Sequence, residues 1–294
     1  QDGAVGVSGL VISAGKGSIT IDGKAGETLD LSANITALPA SLANAFASGL
    51  DAAGTITSTV TIKGTGAAPD VAFDASWQGA MIRQTRAANL GAFTISAKGK
   101  VQNNTLSIRT TAKNAAGLSL DASGTVGLAG NRALAIKATG RLPFAAAAAL
   151  LAQQGVDLKG NAAFDLAVSG SAANPTIAGR VTTKGTTLTV IRQNLTLKDI
   201  AATVDLDGKQ ARISSLTAKL GGGGTISVTG TIGITPASGF PASLKIALDN
   251  AVYTDGRVVA AKLDGELGLN GSLIRAPVLS GRIKLNRADI TIPE

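Results

Sequence analysis

GSAANPTIAGRV (Gly170–Val181) returns as GSLIRAPVLSGRI (Gly271–Ile283), with Pro175 matching Pro277, Gly179 matching Gly281 and Arg180 matching Arg282. A fainter copy, GTGAAPDV (Gly64–Val71), carries Pro69 in the marker position, so the prolines recur at intervals of 106 and 102 residues. Such self-similarity marks a repeat array. The upstream stretch repeats too: LPASLANAFASGLDAAGTITSTVTIKG (Leu38–Gly64) matches LPFAAAAALLAQQGVDLKGNAAFDLAVSG (Leu142–Gly170), with Asp51 falling on Asp157 and Gly54 on Gly160. One continuous array is expected, with units at 1–69, 70–175 and 176–277 and the start of another at 278–294.

Around these markers the hydrophobic period is two. Phe93, Ile95, Ala97 and Val101 fall on one face, with Thr94, Ser96, Lys98 and Lys100 on the other. Ile226, Val228, Ile232 and Ile234 alternate with Thr and Ser, and Leu244, Ile246 and Leu248 alternate with Ser243, Lys245 and Asp249. The parity changes between Ile213 and Leu216, which predicts a bulge or turn. Residues 5–36 read as three strands, with Asp22-Gly23 as a hairpin turn. Ala-rich segments closed by glycine predict short helices near 40–48 and 144–154. About 22 strand candidates result, against a usual strand of about 5 to 6 residues. One sheet of that size would extend on the order of 100 Å at about 4.8 Å per strand.

Composition agrees with an all-β chain. Of 294 residues, 45% are apolar but only 3% aromatic, and 37 are glycine. With no Cys and no His, thiol nucleophiles, Ser-His-Asp triads, disulfides and His or Cys zinc sites are excluded. The net charge of +8 comes from basic residues spread along the chain, such as Arg109 and Lys113, which reads as a solvated sheet face. Without basic clusters interleaved with aromatics, no nucleic-acid partner is expected. No run of about 20 apolar residues is present, and because the chain stops directly after a strand-like segment we expect a fragment of a longer protein.

Catalysis and cofactors are not expected. Gly221–Gly224 precedes a strand and lacks the Lys-Ser/Thr of a phosphate loop, so it reads as a flexible turn. Asp205-Leu206-Asp207-Gly208 lacks the remaining ligands of a calcium loop. Asp207-Gly208, Asp255-Gly256 and Asp264-Gly265 read as hairpin turns. Arg180 and Arg282 suit either headgroup binding or a ladder of outward charges that blunts sheet edges. The aliphatic face is the one feature that implies an activity. It must close as a dry sandwich, wind as a packed solenoid, or curl incompletely and leave a trough, and the scarcity of aromatic rings tilts the reading towards a trough.

The recurring G-x4/5-P-x3-G-R-[VI], the LP helix followed by a D-x2-G strand, and LTLKDIAATVDLDGKQARISSLTAKLGGGGTISVTGTIGI (Leu195–Ile234) together resemble the TamB family of the AsmA-like superfamily. The ending GRIKLNRADITIPE (Gly281–Glu294) is similar to the family's phrase before its last domain. The resemblance implies an incompletely closed β-roll, or "taco", with an apolar groove. It also implies a periplasmic location, a tether to the inner membrane outside this chain, and an outer-membrane Omp85-class (TamA-like) partner. The expected cargo is phospholipid, carried to the outer membrane. On that reading Leu106, Ile108, Leu134, Ile136, Phe164, Leu166, Val168, Ile226, Val228, Leu244, Ile246 and Leu248 line the groove as one face. Two alternatives stay open: a scaffold that holds outer-membrane β-barrel or autotransporter substrates by β-augmentation, and a packed β-solenoid of the adhesin type.

Overall fold

A computed structural model describes residues 4–45, 47, 49–153, 155–234, 239–254 and 259–290. Among these residues, 18 strands form one antiparallel sheet that is not closed, with only a few short helices. The chain divides into two compact units, Gln1–Gly140 with Ala167–Pro175, and Arg141–Leu166 with Thr176–Glu294.

In the first unit, strands β1 (Val5–Ala14), β2 (Gly17–Ala25), β3 (Leu29–Pro39), β4 (Ala53–Gly64), β5 (Pro69–Met81), β6 (Phe93–Gln102), β7 (Thr105–Asn114) and β8 (Ser119–Gly127) pair each with the next. A ninth strand, β9 (Ala133–Pro143), follows, and a Cβ on Gly124 of β8 would meet Ile136 Cα at 2.7 Å. The second unit contains β10 (Val156–Lys159), most of β11 (Asn161–Ser171), and β12 (Pro175–Val190). There follow β13 (Leu195–Asp207), β14 (Gln210–Leu220), β15 (Thr225–Gly233), β16 (Pro241–Thr254), β17 (Val259–Ser272) and β18 (Val278–Ile290). From β12 onward each strand again pairs with its successor, and β10 pairs with β12.

The repeated phrase has one structural meaning. Pro69 and Pro175 open β5 and β12, and Pro277 stands directly before β18, so each proline ends a turn where no ladder N–H is needed. Gly179 and Gly281 then hold φ of +133° and +141°, conformations closed to residues with a Cβ. An added Cβ would overlap the carbonyl oxygen of Asp165 or Glu266 and meet Leu166 Cα at 2.9 Å or Leu267 Cα at 2.8 Å. The two sites are the same to about a tenth of an ångström.

The predicted bulge is present: β14 shifts register on β15 between Ile213 and Leu216, and Ser214 is the extra residue against β13. Asp207-Gly208 opens a two-residue connection, with Asp207 Oδ1 accepting the Lys209 and Gln210 N–H groups at 2.9 Å each. Two other turn readings are corrected. Asp22-Gly23 lies inside β2, and the first hairpin turns at Gly15-Lys16. Asp22 is there because its Oδ1 accepts the Gly9 N–H at 2.7 Å, where β1 breaks register between Val7 and Leu10. Asp264-Gly265 lies inside β17, where Asp264 Oδ1 accepts the Asn250 N–H at 2.7 Å, at the register break between Leu248 and Ala251 of β16. In both, a carboxylate satisfies an amide that the bulge leaves without a strand partner. Asp255-Gly256 lies outside the described residues.

Gly221–Gly224 is a turn, but a tied one: Gly221 donates to Thr196 O at 2.7 Å and Gly223 O accepts from Val252 at 2.9 Å, which links the turn to the strands on both sides. The strand candidates number fewer than the expected 22 because bulged segments run on as single strands, up to 16 residues in β12. The first Ala-rich segment forms a 3-10 helix, Ala40–Ala45. The second forms a 3-10 turn, Phe144–Ala147, that continues as α2 (Ala148–Gln153). A further short helix, α1 (Arg83–Ala87), has no counterpart in the sequence reading; its Arg86 pairs with Asp51.

Candidate functional site

The strand registers assemble the aliphatic residues into rows. In the first unit one row runs Leu31, Ile62, Val71, Val101, Leu106, Val126 across six successive strands. The next runs Ala33, Val60, Phe73, Gly99, Ile108, Gly124. Leu134 and Ile136 lie on β9 and Val168 on β11. In the second unit, Leu216, Val228, Ile246, Leu267 and Gly281 form one row, and Ile213, Gly230, Leu244, Leu269 and Leu279 another. Ala218, Ile226 and Leu248 form a third. Phe164 and Leu166 lie on β11, the latter beside Gly179.

Each of the twelve sequence-predicted residues is half-buried. So are Leu31, Ile62, Val71, Leu216 and Leu267, which the sequence reading did not place in the groove. Fully buried apolar residues are few: among the described residues there are nine, of which seven are alanine, and the other two are Phe93 and Ile200. A dry sandwich of this size buries Leu, Ile and Val in quantity. Here those residues stay partly accessible on one face.

The opposite face is charged and hydroxylated. Lys63 pairs with Asp30 at 3.9 Å, Lys98 with Asp74 at 2.8 Å, and Arg180 with Asp205 at 2.7 Å. These pairs are solvent-exposed, so they contribute little energy and instead fix which face is wet. The Ser214 hydroxyl and then the Arg180 guanidinium hold the Asp205 carboxyl below the usual value. The Lys209 and Gln210 amides lower Asp207, and the Asn286 side chain with the Asn250 amide lowers Asp264. No cluster of metal-ligating side chains occurs among the described residues. Nor is any described helix long and apolar enough to cross a membrane.

Comparison with curated proteins and with solved structures gives no match. The family model of the TamB C-terminal domain matches residues 12–214 and again 214–294. With nearly the whole chain covered by that model and an open antiparallel sheet beneath it, the chain belongs to the TamB family.

Proposed function

We propose that the aliphatic face shields phospholipid acyl chains during their passage across the periplasm, while headgroups stay at the polar rim. As a member of the TamB family the chain is an envelope protein of a translocation and assembly module, a transport and assembly family rather than a known enzyme family. The observation that carries the reading is the row Leu216–Val228–Ile246–Leu267, an unbroken aliphatic ladder whose side chains remain half-accessible. Each methylene that such a face removes from water is worth about 0.8 kcal/mol, and a face without shaped pockets leaves the chain free to slide along it. The small number of buried Leu, Ile and Val residues argues against a packed solenoid core.

The test is native mass spectrometry with lipid extraction on the chain purified from cells. Co-purified phospholipid that is lost on Val228→Asp supports a lipid face. A lipid-free mass for the unmodified chain overturns it.

A further inference from the structure

One tripeptide comes back unchanged where the two repeats otherwise diverge. Ile-Arg-Gln follows β5 in MIRQT (Met81–Thr85) and follows β12 in VIRQN (Val190–Asn194), once in each unit. The first copy leads into α1 and the second forms a 3-10 turn, Ile191–Gln193, so the local helix type is not what the two share. They share a place. Arg83 donates its N–H to Leu50 O and Ile191 donates its N–H to Gly155 O, each at 2.9 Å, which ties each turn to the end of an Ala-rich segment.

The arginine side chains rest on the equivalent glycines Gly49 and Gly155. A Cβ added to Gly49 would lie 3.5, 3.7 and 3.8 Å from Arg83 Nη1, Cζ and Nη2, nearly equal distances that set the guanidinium plane face-on to the glycine. One added to Gly155 would meet Arg192 Cγ, Nε and Cδ at 3.6, 3.8 and 3.9 Å. Both arginines are exposed, and neither guanidinium has an ion pair or hydrogen bond among the described residues. The neighbouring acidic residues are already taken: Asp51 pairs with Arg86, and its repeat counterpart Asp157 pairs with Lys159 at 3.1 Å. Each unit thus holds a guanidinium that packing positions and no counter-charge occupies.

The planar fork of an arginine matches the oxygens of a phosphate, to which it donates two parallel bonds. An aliphatic side chain adjoins it in both copies, Ile82 half-buried and Ile191 66% exposed. A free phosphate gains nothing from that neighbour, whereas a phosphate esterified to acyl chains meets cation and hydrocarbon together.

We infer that Arg83 and Arg192 are headgroup receptors, one on each unit, which bind the phosphate of a glycerophospholipid whose acyl chains lie on the aliphatic face. Resting on the lipid-shielding role above, the two arginines give the face a preference for phosphate-bearing lipid and fix where each headgroup stops.

Native mass spectrometry of the whole chain, titrated with phosphatidylglycerol and with diacylglycerol of the same acyl composition, tests this. The unmodified chain should bind phosphatidylglycerol at least about fivefold more tightly. Arg83→Gln combined with Arg192→Gln should abolish that difference and leave diacylglycerol binding and the melting temperature unchanged, since both side chains are exposed. Arg83→Lys with Arg192→Lys should keep only part of it, because an ammonium cannot make the bidentate contact. Arg109→Gln with Arg212→Gln removes the same charge from exposed strand positions of the two units and should leave the preference intact. Retention of neither lipid by the unmodified chain overturns the arginine sites together with the lipid face. Four results overturn the arginine sites alone: diacylglycerol binding without a phosphate preference, a preference that survives the double glutamine variant, an equal loss in the Arg109 and Arg212 control, or displacement of the lipid by inorganic phosphate at equal concentration.

Discussion

Asp264 on β17 accepts the backbone N–H of Asn250 on β16 at 2.7 Å, where β16 breaks its register between Leu248 and Ala251. Its other oxygen accepts from the Asn286 side chain at 2.6 Å, so one carboxylate joins three consecutive strands. Asp22 does the same for the Gly9 amide at the bulge of β1.

Acid should therefore loosen these joints. The Asn286 and Asn250 donors lower the Asp264 pKa from its ordinary 3.8, and Asp205 and Asp207 are lowered by their own donors. A carboxylate with a lowered folded pKa adds stability that is present above the unfolded value and is lost as pH falls through the folded one. We expect a melting temperature that is flat at neutral pH and falls below pH 3.8. Asp264→Asn keeps an acceptor but no charge, so its acid dependence should be shallower. Circular dichroism melts across pH 2 to 7 check this, and identical slopes would refute it.

The repeat glycines give a second expectation. Gly281→Ala forces a Cβ against the Glu266 carbonyl at a φ of +141°, and should cost more than about 1 kcal/mol. At Gly6 nothing lies within 4 Å of a new Cβ and φ is not positive, so Gly6→Ala should be within about 0.5 kcal/mol of neutral. Urea unfolding of both variants makes the comparison.

Much of this was legible in the chain, because a period of two names the faces without knowledge of the partner strand. Ile226, Val228, Leu244, Ile246 and Leu248 share a face for that reason. What stayed hidden depends on contacts far apart in sequence. Asp22-Gly23 and Asp264-Gly265 carry turn residues, yet both sit in mid-strand, since the Asp serves a bulge 13 or 14 residues away and the Gly makes room for another backbone. Local composition cannot separate these two uses of Asp-Gly. Helix α1 escaped because RQTRA has no apolar period, and it is held by contacts distant in sequence, the Asp51–Arg86 pair and the Arg83 N–H on Leu50 O, together with the Thr85 hydroxyl that caps Ile82.

Stability and cargo handling should come apart on the aliphatic face. Ile200 is only 7% exposed, so Ile200→Asp buries an unpaired charge and should cost more than about 3 kcal/mol. Val228 is half-accessible and Val228→Asp can keep its carboxylate hydrated, with a loss within about 1.5 kcal/mol. Denaturant midpoints measured beside lipid retention test this: Val228→Asp should fold and lose lipid. Equal destabilisation by both variants would mean that Val228 belongs to a dry core.

The chain carries a single tryptophan, Trp77, and the fold places it on the face in question. It stands in register between Ile56 and Ile95, half-buried, with its indole N–H donating to Ala53 O at 2.9 Å. That bond fixes the ring, so its emission should report what approaches the apolar face rather than its own motion. Vesicles of phospholipid brominated along the acyl chain should quench Trp77, and lipid brominated in neither chain should not. The quenching should weaken when Val60→Asp or Val71→Asp puts a charge on the same face, two and three rows along from Trp77, since acyl chains avoid an ionised group. Quenching that survives both substitutions, or an emission indifferent to brominated lipid, would place the acyl chains away from the first unit's aliphatic rows.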